Sequence, residues 1–107
     1  MDARFAPLVL PTHLHDLPQD YAQRIESFGN EGDVTTQQHL DKFTDFTDLE
    51  EVDHEDAITR LFAQSFTSEV KKWFRSLNAR SIHNSNQFQD LFLRKWEIKK
   101  NSLQLLT

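Results

Sequence analysis

Glu69-Val70-Lys71-Lys72-Trp73-Phe74-Arg75-Ser76-Leu77 is the stretch that decides the fold. Val70, Trp73, Phe74 and Leu77 fall at i, i+3, i+4 and i+7, so a helix gathers them into one apolar stripe and leaves Lys71, Lys72 and Arg75 off it. Thr67 or Ser68 is the expected cap. Immediately upstream, Ala57, Ile58, Leu61, Phe62 and Phe66 form a second stripe at helical spacing. That helix is expected to start after Asp53, with Glu55 and Asp56 at the positive end of its dipole. Downstream, Phe88, Leu91, Phe92 and Trp96 repeat the pattern. Asn84-Ser85-Asn86-Gln87 before them has the form of a cap-x-x-Gln box. Ile98 to Leu106 reads as the start of a fifth helix. The first long helix is expected after a capping Thr35 and as far as about Glu51, with Leu40, Phe43 and Thr47 on one face and Phe46 and Leu49 flanking it.

The amino-terminal third reads differently. Pro7, Pro11 and Pro18 are the only prolines, and each biases its preceding residue toward extended backbone. Phe5, Leu8, Leu10, Leu14 and Leu17 keep no helical spacing, although a short helix is expected near Gln19 to Ile25. Gly29-Asn30-Glu31-Gly32-Asp33 is a turn signal. The expected organisation is one all-α domain. Residues 1–34 are an extended arm and turn, and residues 35–107 a compact bundle of four to five helices. An apolar arm is expected to lie in a hydrophobic groove of its own or a neighbouring subunit.

The chain has 107 residues, which suits a single domain, and no cysteine, which leaves neither disulfides nor thiolate metal sites. No apolar run approaches the roughly 20 residues of a membrane span, so no membrane partner is expected. Met1 to Leu17 lacks the basic region and apolar run of a secretory leader. Charge divides along the chain. Residues 1–70 hold 4 Lys/Arg and 15 Asp/Glu, a net of −11, and residues 71–107 hold 8 Lys/Arg and 2 Asp/Glu, a net of +6. A subunit with ends of opposite sign can attract its own copies.

Arg60-Leu61-Phe62-Ala63-Gln64-Ser65-Phe66, the Glu69–Leu77 stretch with its Trp73-Phe74 pair, Ser81-Ile82, and the fourfold spacing of Phe88, Phe92 and Trp96 together resemble the Gag domain of long-terminal-repeat retrotransposons. Plant gypsy-type elements are the nearest in pattern. Ile25-Glu26-Ser27-Phe28 and Gln38-His39-Leu40 extend the likeness upstream, so that it covers about two thirds of the chain. Asn78 stands where that family usually has proline, Arg80 where it has glycine, and Ser85 where it often has tryptophan. The resemblance implies the amino-terminal lobe of a capsid domain, packing into virus-like particles. It implies a cytoplasmic location, with the nucleus the other compartment open to it, and RNA binding by other regions of Gag.

Catalysis and cofactors find no motif. His13 and His15 could face one side of an extended arm beside Asp16, but no third metal ligand is evident nearby, so neither metal nor cofactor is expected. His39, His54 and His83 stand alone and read as surface or partly buried polar residues. Trp73, Phe74, Phe88, Phe92 and Trp96 could stack on bases, but their helical spacing reads as core. The expected core is Leu61, Phe62, Phe66, Val70, Trp73, Phe74, Leu77, Ile82, Phe88, Leu91, Phe92 and Trp96. Lys71, Lys72, Arg75, Arg80, Arg94, Lys95, Lys99 and Lys100 could touch phosphate, yet the acid excess elsewhere argues against this domain alone as the main RNA binder. The expected self-association surface sets Asp45, Asp48, Glu50, Glu51 and Glu55 against Arg94, Lys95, Lys99 and Lys100. The alternative reading is a host-domesticated Gag lobe that holds a short hydrophobic peptide in a groove between helices.

Overall fold

The computed structural model describes residues 5–29, 32 and 34–106, with side chains through Trp96. It is all-helical. Helix α1 is Tyr21–Arg24, α2 Thr36–Leu49, α3 Glu55–Gln64, α4 Ser68–Ser76 and α5 Ser85–Leu106. Asn30, Glu31 and Asp33 of the expected turn lie outside the described residues, while Gly32 adopts φ 77°, a left-handed value suited to glycine.

Local chemistry sets the helix ends. The Thr35 hydroxyl accepts a hydrogen bond from the Gln38 backbone N–H at 3.1 Å, and the Gln38 side chain accepts from the Thr35 N–H at 2.9 Å. This reciprocal pair satisfies two donors at the start of α2. The helix stops at Leu49, short of the expected Glu51, because Glu51 turns left-handed at φ 55°. Asn84 caps α5 through its side chain, which accepts from the Gln87 N–H at 2.8 Å. Gln87 reaches past the cap to accept from the His83 N–H at 2.7 Å, a box shifted by one residue. Ile98–Leu106 is no separate helix. It continues α5 without a break.

Helices α2 and α3 both pack on α5, and Phe62 is the hub of the core. Its ring centroid lies 4.8 Å from that of Phe43, 4.9 Å from Phe66, 5.0 Å from Phe88 and 5.1 Å from Phe92. Of the expected core, Leu61, Phe62, Phe66, Val70, Phe74, Ile82, Phe88, Phe92 and Trp96 are buried. Trp73, Leu77 and Leu91 are only partly buried against it, which corrects the sequence reading. Val70 and Phe74, one turn apart, are the residues α4 aims inward. Trp73 lies to their side and meets Trp96 edge-on at 6.1 Å, and Leu77 is already past the helix end in extended backbone.

The arm completes the core. Phe5, Pro7, Leu8 and Phe28 are buried. Leu8 pairs with Ile82 and Phe28 with Phe66 as isolated parallel β-bridges. The Val9 N–H donates to the Ile82 carbonyl at 2.8 Å, the Ile82 N–H to Pro7 at 2.9 Å, and the Arg80 N–H to Ala6 at 2.9 Å. The Leu8 N–H turns back to the Phe5 carbonyl at 2.9 Å, and the bonds to residues 80–82 satisfy the backbone around it, which allows it to be buried. The amides of Val9, Arg80 and Ile82 are therefore expected to exchange with solvent at least about a hundredfold more slowly than unstructured amides. Amide exchange followed by NMR checks this, and free exchange at Val9 and Ile82 would remove the docked arm from the native state.

Candidate functional site

The arm crosses the start of α3 at a polar clamp. The Asp56 carboxylate accepts from the His15 backbone N–H at 2.8 Å and lies 2.6 Å from His15 Nδ1. Arg60 donates to Asp56 at 2.9 Å and also to the His15 carbonyl. His15 stacks flat on His54, with ring centroids 3.5 Å apart. Burial pushes the Asp56 carboxyl upward, but hydrogen bonds from His15 and Arg60 outweigh it and hold it below its ordinary value. His15, which sequence spacing paired with His13, is thus committed to Asp56. Among the described residues no group of three or more His, Asp or Glu side chains has metal-binding geometry.

His39 is the second correction to the sequence reading. It is 2% exposed, enclosed by Phe28, Phe62, Phe66 and Phe92. The Ser65 hydroxyl donates to the Phe62 carbonyl at 2.6 Å, which leaves its oxygen to accept from His39 Nε2 at 2.9 Å. The imidazole is neutral, with the proton on Nε2. Burial lowers its pKa to about 4. Lone histidines carry no periodic signal, but His39 lies one position before Leu40 and four before Phe43, on the inward edge of α2.

The charged faces are less uniform than their sequence suggests. Glu50 accepts from Arg24 at 2.8 Å, and that bond holds its carboxyl below the usual range. Glu55 accepts from the Ser85 N–H at 2.9 Å and from its hydroxyl at 2.7 Å. It thereby serves the free N–H at the start of α5 and places negative charge at the favourable end of that helix. Arg94 pairs with Asp90 at 3.0 Å, and Lys95 sits over the Trp96 ring at 5.7 Å. Lys99 and Lys100 continue α5, and their side chains lie outside the described ones. Asp45, Asp48 and Glu51 are exposed and, among the described residues, form no ion pair.

Two features of the surface escaped the expected set. Leu49, read as flanking the apolar face of α2, is 73% exposed and sits beside Asp45 and Asp48. On α4, Lys71, Lys72 and Arg75 are exposed and without an ion pair among the described residues. Lys71 and Arg75 edge a cleft of about 150 Å³ whose other walls include Ala63, Phe66 and Phe74. No family model, curated protein or solved structure matches the chain.

Proposed function

We propose that the chain is a structural domain of a long-terminal-repeat retrotransposon Gag polyprotein, which associates with its own copies in a virus-like particle and performs no catalysis. The turn at Arg80 carries this reading. The family that the sequence resembles usually has glycine there, and the Arg80 backbone lies at φ 57°, the left-handed conformation that glycine adopts at least cost. The resembling segments support the same reading, because they fall on α3, α4, the turn and the start of α5, around one aromatic core. In this reading the particle is cytoplasmic, the partners are other Gag copies, and other regions of the polyprotein bind the RNA.

Sedimentation of the chain at low and high salt is the test. Association is expected at about 0.1 M salt and is expected to weaken at 1 M, where the Debye length falls from about 10 Å to about 3 Å. Electron microscopy of the longer Gag protein should then show closed particles. A chain that stays monomeric at every concentration, with no particles from the longer protein, overturns the proposal.

A second reading, a domesticated Gag lobe that binds peptides, draws on the arm. Residues 80–82 already accept an extended segment in parallel register. A monomeric chain in which an added peptide of residues 5–17 strips exchange protection from Val9 would favour that reading.

A further inference from the structure

We infer that the cleft edged by Lys71 and Arg75 on one copy seats Leu49 of a second copy. This inference rests on the self-association reading and assigns its contact. Three observations meet here. Leu49 is the most exposed large apolar side chain among the described residues, at 73%. Asp45 lies one turn back on the same helix face and Asp48 immediately precedes it, both exposed and without an ion pair among the described residues. The α4 cleft offers the counterpart, lined by Phe5, Ala63, Gln64, Phe66 and Phe74 and rimmed by Lys71 and Arg75, which are one turn apart. About 150 Å³ is room for a benzene-sized group, so a leucine side chain fits without repacking the core.

Charge selects the occupant. A second copy presents an apolar tip flanked by carboxylates, and the cleft presents a partly apolar floor flanked by cations. The basic residues of α5 are the weaker counterpart, since Arg94 is already paired with Asp90 and Lys95 lies over Trp96. The two patches share no residue, so the contact is head-to-tail and leaves a free patch of each kind on every added copy. Contacts of this class close into rings or extend as open arrays. Exposed ion pairs around one leucine make each contact weak, and multiplicity supplies the strength of the assembly.

A charge-swap experiment on the full chain tests this by sedimentation at about 0.1 M salt. The variants K71E/R75E and D45K/D48K are each expected to lose at least about tenfold in self-association, because like charges then face one another. An equimolar mixture of the two should recover association, since each supplies the patch the other lacks. L49S should weaken association without altering its salt dependence. All five positions are exposed, and circular dichroism checks that each variant keeps its helices. If K71E/R75E associates as the wild type does while R94E/K95E does not, self-association stands and the cleft assignment is wrong. Loss in both variants with no recovery on mixing also overturns the pairing. A wild-type chain that never associates overturns this inference together with the reading it rests on.

Discussion

Phe62→Ala is expected to destabilise the domain by about 3–5 kcal/mol, the range for removing a large aromatic from a packed core. Phe62 is 1% exposed, and its ring is shared among α2, α3 and α5 through Phe43, Phe66, Phe88 and Phe92. Those partners come from two other helices and the segment after α3, so no single rotation can fill the space. Total stabilities of small domains are about 5–15 kcal/mol, so the variant should lie near the edge of folding. Urea denaturation of wild type and variant measures the difference. A loss below about 1 kcal/mol would place Phe62 away from the centre of the core. Trp73→Ala should cost less, because Trp73 is only partly buried.

Acid should weaken the fold through His39. In the unfolded chain its imidazole titrates at the ordinary 6.5, whereas in the aromatic cage its pKa falls to about 4. The unfolded state therefore binds the extra proton between those values, and stability rises with pH across that window. The contribution is complete above pH 6.5 and is lost progressively as pH falls toward 4. A difference of this size corresponds to about 3 kcal/mol. Urea midpoints followed from pH 7 to pH 4 should fall steeply in the wild type and much less in a His39→Gln variant, whose amide can still donate to Ser65. Equal slopes in the two proteins would show that another group carries the acid sensitivity. Asp56 acts in the same direction at lower pH, since its depressed carboxyl keeps its stabilising charge until pH falls below the ordinary aspartate range.

The helices were legible because they bury one stripe each. Val70 and Phe74, Leu61 and Phe62, and Phe88 and Phe92 announce their helices by spacing alone, and Thr35 marks its cap by residue type. The arm was legible as apolar enough to dock, but only its start does so: residues 11–16 are exposed, and Leu14, expected in the groove, is 48% exposed. The arm's share of the core was not legible, because Phe5, Pro7, Leu8 and Phe28 are buried by bonds to residues 65–67 and 80–82, and pairing between distant segments leaves no period in the sequence. The surface divided in the same way. The opposite charges of the two ends are countable, but which carboxylates remain free depends on Arg24 reaching Glu50 and on Ser85 standing over Glu55. Those are tertiary accidents of spacing. His39 was misjudged for a related reason, since a lone polar residue beside an apolar stripe has its burial decided by the elements that close over it.

The strap formed by the arm also divides folding in time. The helical core sets α2 and α3 on α5, contacts that close shorter loops than the arm does and so form earlier. The Val9–Ile82 bond joins positions separated by most of the chain, and ordering so long a loop has its entropic cost before any bond forms. The arm should therefore close last, over a core already in place. Substitutions at Leu8 or in the His15–Asp56 clamp should leave the refolding rate almost unchanged and accelerate unfolding instead. The arm then acts as a kinetic latch, and the lifetime of the folded subunit is governed by the segment that contributes least to how quickly it forms.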